Sequence, residues 1–306
     1  TVSGFTTTGA SILSDVEALS HCMLIWRSFT HWIGGMGVLV FILCLLPLTG
    51  GYHMNLMKAE SPGPSVSKLV PKVQSTAKIL YTIYIILTIV EIIFLLIGKM
   101  PLFDTLCLSF GTAGTGGFGI KNDSIASYST YNQVVITVFM ILFGINFNAY
   151  YLLLTKKVMQ AAKNEEVRYY LGIIGLAIVA IAINTREMFT SFGRAFQQAA
   201  FQVGSIITTT GYATTDFNVW PVFSKTILVI LMFVGACAGS TGGGIKVSRL
   251  LILCKSARKE LQLYLHPNAV KKIKMDDKAI PHEVVRATNM FLFVYIMIFV
   301  TSLLII

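Results

Sequence analysis

Three clusters of threonine and glycine carry the residues best suited to chemistry: Thr6, Thr7, Thr8, Gly9 and Ala10; Thr115, Gly116, Gly117, Phe118 and Gly119; and Thr208, Thr209, Thr210, Gly211 and Tyr212. The chemistry they suit is ion coordination rather than catalysis. A cation leaving water must exchange its hydration shell for other oxygens, and rings of backbone carbonyls and Thr hydroxyls supply them. Turning successive carbonyls toward one axis demands backbone angles that disfavour a Cβ, which accounts for glycine at positions 9, 117 and 211. One such cluster would read as an ordinary loop of small residues. Three of them, recurring in phase about a hundred residues apart, read as an internal repeat with a shared task.

These clusters need elements to hold them. Pro101 to Phe110 predicts a short helix before the second cluster, with Leu102, Phe103, Leu106 and Phe110 apolar, and Phe189 to Gly204 predicts another before the third. Both are too short or too polar to cross a bilayer, which takes about 20 apolar residues. Each cluster is followed by a strongly apolar helix, expected over Met23 to Leu48, from near Tyr131 and from near Val222. The expected unit is helix, pore helix, ion-selecting loop, helix. Non-helical backbone at that depth must line a watery cavity or be buried in protein.

The chain is 55% hydrophobic and 12% charged, against roughly 25% charge in soluble domains. Apolar runs at 32–48, 79–98, 133–154, 171–183, 222–238 and 287–306 predict membrane crossings. They lack the strict alternation of barrel strands, so the expected fold class is an all-α membrane protein. Eighteen of the 24 Lys and Arg residues fall in loops 49–78, 156–170 and 246–286. That excess puts these loops inside and Thr1 to Ser20 outside, with membrane lipid as the expected partner. Lys271, Lys272 and Lys274 in the third loop are explained by the flanking spans, so no nucleic acid is expected.

Gly235, Ala236, Gly239, Ser240, Thr241, Gly242, Gly243, Gly244 and Lys246 interrupt an apolar helix expected to resume over Ile245 to Cys254. Clustered small residues of this kind make a hydrogen-bonding kink. Glu91, within an apolar run, reads either as functional or as the partner of a polar group on a neighbouring helix. Asp15, Glu17, Asp123 and Asp216 would either concentrate cations near the clusters or be ordinary loop charges. The five cysteines, at 22, 44, 107, 237 and 254, read as buried small apolar residues, and His31 as packing or hydrogen-bonding near the outer interface. Gly114, Gly116 and Gly119 match a dinucleotide fingerprint without the strand it needs, and Gly239 to Lys246 lacks the Gly-Lys-Ser/Thr of a phosphate loop. No cofactor is expected.

The segments V-S-G-F-T-T-T-G-A at Val2 to Ala10, W-I-G-G-M-G at Trp32 to Gly37, T-T-T-G-Y at Thr208 to Tyr212 and G-A-C-A-G-S-T-G-G-G-I-K at Gly235 to Lys246 resemble the Trk/Ktr/HKT superfamily of potassium transporters, the bacterial Trk branch above all. The resemblance runs essentially end to end. It implies channel-like units fused around one pore: repeat 1 in 1–55, repeat 2 in 56–160, repeat 3 in 161–265 and the start of repeat 4 in 266–306. It further implies that the three clusters form a selectivity filter for transported K+, with Gly235 to Gly244 gating the pore beneath them. Glycine at all three key positions goes with potassium preference in that family. A homodimer, a cytosolic nucleotide-binding regulatory subunit on the inner loops, and a place in the bacterial inner membrane are also implied. By the same alignment the chain would start at the first filter and lack the fourth pore loop.

The expected function is inward conduction of potassium, with no enzymatic activity. Three rivals remain open: an alternating-access symporter of K+ with H+ or Na+, which would use discontinuous helices; a sodium-permeable relative; and a membrane-embedded enzyme, which would need clustered His, Asp or Glu at membrane depth.

Overall fold

The computed structural model describes residues 1–37, 73–266, 272–276 and 278–305. The rest of the 32–48 run lies outside the described residues, as do Cys44, Lys58, Lys68, Lys72 and Lys271. In chain order the helices are α1 (Val2–Phe5), α2 (His21–Gly35), α3 (Val73–Ile97), α4 (Leu102–Ala113), α5 (Thr130–Phe143), α6 (Phe147–Leu154), α7 (Val158–Ala162), α8 (Glu165–Asn184), α9 (Phe192–Ile207), α10 (Val222–Val234), α11 (Val247–Leu265) and α12 (His282–Ile305). A short antiparallel pair, β1 (Lys274–Met275) and β2 (Lys278–Ala279), lies between the last two.

Among the described residues α3, α8 and α12 are long and apolar enough to cross a membrane, while α4 and α10 are apolar but shorter. The chain is thus an all-α membrane protein. Among the described residues two large apolar clusters and a small one, Leu24, Cys107 and Ile120, form its interior. One gathers Tyr84, Leu108, Ile136, Phe143 and Tyr212 from α3, α4, α5 and the third Thr/Gly cluster. The other gathers Tyr170, Ile178, Val203, Leu228 and Val247 from α8 to α11. They pack around the short helices α4 and α9, which lead into the second and third Thr/Gly clusters.

Several expected boundaries shift. The run 133–154 was expected as one crossing, but α5 and α6 meet at a 90° bend. Gly144 and Asn146 sit in the break. Asn146 caps α6 by accepting from the Asn148 N–H, the Gly144 carbonyl accepts from Cys237 N–H at 3.0 Å, and Phe147 N–H donates to the Gly239 carbonyl at 2.9 Å. A segment more than ninety residues downstream therefore satisfies the backbone groups freed by the break, as a bend within a membrane requires.

The run 222–238 ends as helix at Val234, where Gly235 takes φ +71°. The helix expected over Ile245 to Cys254 starts at Val247 and continues to Leu265, so much of the third basic loop is helical. The first post-cluster helix begins at His21, and the short helices end later than expected, at Ala113 and Ile207. Cys107 and Cys237 are buried, but Cys22 and Cys254 are exposed, against the expectation that all are interior.

Candidate functional site

All three Thr/Gly clusters close a short helix with the same backbone pattern. Thr6, Gly114 and Thr208 donate their N–H four residues back; Thr7, Thr115 and Thr209 donate three back; Thr8, Gly116 and Thr210 donate five back. The last two bonds are those of a Schellman cap, which normally places glycine in the left-handed position. Here that position is threonine each time, with φ +52° at Thr7, +50° at Thr115 and +59° at Thr209. A β-branched residue in that region is a genuine outlier, costing about 1–3 kcal/mol, and such strain concentrates at functional sites. Each of these hydroxyls offsets part of the cost by donating to the preceding carbonyl, at 2.8, 2.8 and 2.6 Å.

Two residues further on, Gly9, Gly117 and Gly211 again have positive φ, +73°, +76° and +87°. A Cβ on Gly9 would lie 2.2 Å from the Gly116 carbonyl oxygen, and one on Gly117 would lie 1.9 Å from that of Thr210. The first cluster therefore abuts the second, and the second abuts the third, each through a glycine and its neighbour's carbonyl. Gly211 meets nothing within 4 Å. In W-I-G-G-M-G, Gly34 touches the backbone of Phe5, and Gly35 that of Gly114, so this segment is pressed against the first two clusters.

The first and third clusters carry extra clips. Thr6 and Thr8 share a hydroxyl hydrogen bond at 2.8 Å, as Thr208 and Thr210 do at 2.7 Å. Ser3 donates to the Ala10 carbonyl at 2.7 Å, and Ser205 to that of Tyr212 at 2.6 Å. The second cluster has Gly111, Gly114 and Gly116 at the corresponding places and can make neither clip.

The segment from Gly235 to Lys246 folds back against these clusters. Its neck is formed where Gly235 and Gly244 pass so closely that a Cβ on Gly244 would sit 2.5 Å from the Gly235 Cα. Val247 N–H donates to the Ala236 carbonyl at 3.0 Å across that neck. Lys246 is buried, and its ammonium donates to the Gly242 carbonyl. The Thr115 hydroxyl reaches the Thr241 carbonyl at 2.9 Å, and Gly243 N–H donates to the Thr209 hydroxyl at 2.8 Å. Thr241 in turn donates to the Phe143 carbonyl at 3.3 Å, and Ser240 to that of Cys237 at 2.6 Å. A Cβ on Gly242 would approach the Thr208 carbonyl to 3.0 Å.

Sequence reading missed the residue that ties this segment down. Glu166, 2% exposed at the start of α8, accepts from the N–H of Ala238 at 2.6 Å, the N–H of Ser248 at 3.1 Å and the Asn146 side chain at 3.2 Å. Beside it Glu165 pairs with Lys255 on α11, and its N–H donates to Asp276 in the β-hairpin. In a Glu-Glu pair at a helix start, nothing local distinguishes the buried carboxylate from the solvated one.

The outer acidic residues act as tethers. Asn122 donates its side chain to Asp15 at 2.8 Å and its backbone N–H to Glu17 at 3.1 Å, and accepts from Val16 N–H at 2.9 Å. Asp123 accepts from Ser127, and Asp216 caps a 3-10 turn at Asn218. Glu91 is fully buried, and neither carboxyl oxygen has a hydrogen-bond partner among the described residues. His31 is buried too, and packs beneath the second cluster.

The family model for the TrkH cation transport proteins matches residues 1–186 and 169–306. The chain belongs to this family. It is 37% identical over 310 residues to the Trk system potassium uptake protein TrkH of Vibrio parahaemolyticus, covering 99% of this chain and 64% of that one. It is 35% identical over 307 residues to the TrkH proteins of Salmonella typhimurium and Escherichia coli K12, with the same coverage. The crystal structure of the potassium transporter TrkH from Vibrio parahaemolyticus superposes with a TM-score of 0.85 at 33% identity, over 99% of this chain and 63% of that one. The chain thus spans a little under two thirds of the length of these relatives. With its apolar helices, family membership makes it a multi-pass protein of the bacterial inner membrane.

Proposed function

We propose that the chain forms most of a pore for potassium uptake. Thr6 to Ala10, Thr115 to Phe118 and Thr208 to Tyr212 are its selectivity filter, and Gly235 to Lys246 its gate. The observation that carries this is the side-by-side placement of three identically capped turns, with Gly9 set against the second turn's carbonyl and Gly117 against the third's. Oxygen-rich backbone repeated around one place is what a dehydrating cation needs. The names of the relatives, potassium uptake proteins, supply the ion. The contact of the Thr115 hydroxyl with the Thr241 carbonyl and the hydrogen bond that Gly243 N–H donates to Thr209 support the reading of this segment as a gate, since they couple it directly to the turns.

The division into repeats at 1–55, 56–160, 161–265 and 266–306 follows from the same reading. So do a homodimer and a cytosolic nucleotide-binding regulatory subunit, for which α11 and the β-hairpin offer the docking surface. Potassium is cargo here, and no cofactor takes part.

A second reading, alternating access, is favoured by the two interrupted helices, α5/α6 and α10/α11, which meet at Glu166.

Potassium or rubidium uptake by the full-length protein, in cells lacking their own uptake systems, tests the reading. Gly9→Ser and Gly211→Ser should lose uptake or admit sodium while the protein still reaches the membrane. Unchanged uptake and selectivity would make the clusters structural loops. Flux strictly coupled to a proton or sodium gradient would favour the second reading.

A further inference from the structure

The second cluster has lost every internal clip of its neighbours, yet keeps their backbone. Each corresponding space is taken by a residue distant in sequence, by side chain at Gly111 and Gly116 and by backbone at Gly114. Where Ser3 and Ser205 stand in the others, a Cβ on Gly111 would lie 2.1 Å from the Tyr212 hydroxyl. That hydroxyl donates to the Leu108 carbonyl at 3.2 Å, with the Phe118 carbonyl at 3.4 Å. Phe118 holds the place of Ala10 and Tyr212, whose carbonyls take the serine hydroxyls in the other clusters.

Where the hydroxyl pairs Thr6–Thr8 and Thr208–Thr210 stand, the space belongs to His31 of α2. A Cβ on Gly114 would lie 2.2 Å from the His31 carbonyl oxygen, and one on Gly116 would lie 2.3 Å from the His31 ring. The same ring stacks on Phe118 at 4.0 Å between centroids, 19° from parallel, and the Arg27 guanidinium lies 4.3 Å from the centre of that Phe ring. Neither ring nitrogen of His31 has a hydrogen-bond partner among the described residues.

We infer that His31 is the positioning residue of the second filter segment, its ring doing by contact what the threonine pair does by hydrogen bonding in the first and third. This rests on the pore reading above for its functional consequence, but the contact itself does not. The ring fixes Gly116 and Phe118 on either side of Gly117, the residue whose position against Thr210 closes the second segment on the third. Loosening it lets that segment's carbonyls relax toward a smaller ion. Because the ring acts by shape and stacking, an aromatic replacement preserves the role and a methyl does not. Because Gly116 and the ring share one space, changes at the two positions compensate.

The test uses the full-length protein in cells lacking potassium uptake, with rubidium and sodium uptake measured for wild type, His31→Ala, His31→Phe, Gly116→Ala and the His31→Ala/Gly116→Ala pair. His31→Ala should lower the rubidium-over-sodium ratio about tenfold, the scale of losing one aromatic stack. His31→Phe should keep the ratio. Gly116→Ala should abolish uptake, and the double variant should recover part of it.

A working wild type with an unaltered His31→Ala ratio overturns the inference and leaves the pore reading standing. If His31→Phe behaves as His31→Ala does, a ring nitrogen is required and the shape argument fails. If His31→Ala never reaches the membrane, His31→Phe still decides between those outcomes. Should wild type carry no potassium, the pore reading fails by itself. Thermal unfolding of the purified variants then decides the inference: the Gly116→Ala loss must be smaller in the His31→Ala background, and strict additivity overturns it.

Discussion

The Thr209 hydroxyl accepts a hydrogen bond from the backbone N–H of Gly243 at 2.8 Å while donating to the Thr208 carbonyl at 2.6 Å. A residue with strained backbone thereby shares its hydroxyl between the third Thr/Gly turn and the segment packed against it. Whatever moves that segment must first break a bond to the turn.

Thr209→Val keeps the side-chain shape and removes the hydroxyl. It leaves a part-buried N–H without its partner, a loss of about 1–3 kcal/mol, which translates to roughly five- to 150-fold in the balance between docked and displaced loop. Steady-state rubidium flux through the full-length protein should rise accordingly. Flux equal to wild type would mean the loop is held elsewhere.

Glu166→Ala removes the acceptor for Ala238, Ser248 and Asn146 together. Hydrogen bonds to a charged group contribute about 1.5–3 kcal/mol each, so the variant should be among the most destabilising outside the apolar core. Its melting temperature in detergent should fall well below that of Glu166→Gln, which retains one acceptor oxygen. Equal melting of wild type and Glu166→Ala would refute the tethering role.

Lys255→Ala should do little by comparison. The Lys255–Glu165 pair is about a third exposed, 29% and 31%, and pairs so screened contribute roughly 0–1 kcal/mol. Unfolding of this variant should track wild type within that margin, more closely still at high salt. A larger drop would assign α11 a stronger hold on α8.

Asp15 lies outside the membrane spans, and the Asn122 side chain, followed by the Glu17 backbone N–H, holds its carboxyl below the ordinary aspartate range. With the folded value depressed, its contribution is present above the unfolded value, about 3.9, and is lost as pH falls through the folded one. Limited proteolysis of the 11–20 segment should therefore be constant from neutral pH to about pH 5 and increase only in stronger acid. Asn122→Ala should move that onset to higher pH. An onset that does not move would show that the tether runs through the backbone N–H of residue 122 to Glu17 instead.

Much of this fold was legible because its signals are local. Apolar length marked α3, α8 and α12, and glycine at 9, 117 and 211 marked the turns wherever they pack. The bend at Gly144 to Asn146 was not read from the sequence, because Gly144, Asn146 and Asn148 stand within an otherwise apolar run and the partners that stabilise the break, Cys237 and Gly239, are distant in sequence. Glu166 was invisible for the same reason: its burial is conferred by a loop more than seventy positions away. His31 was noticed and placed at the outer interface, since nothing beside it in sequence says that Gly116 leaves room for its ring.

The borrowed supports of the middle turn also limit how this chain can change. Its three units are no longer exchangeable parts: the threonine-rich third motif, moved into the second position, would drive new side chains into volume already taken by His31 and Tyr212. Substitutions on either side of those contacts are acceptable only in matched pairs. The three turns thereby behave as one interdependent assembly, in which a change in one is felt through the atoms of its neighbours.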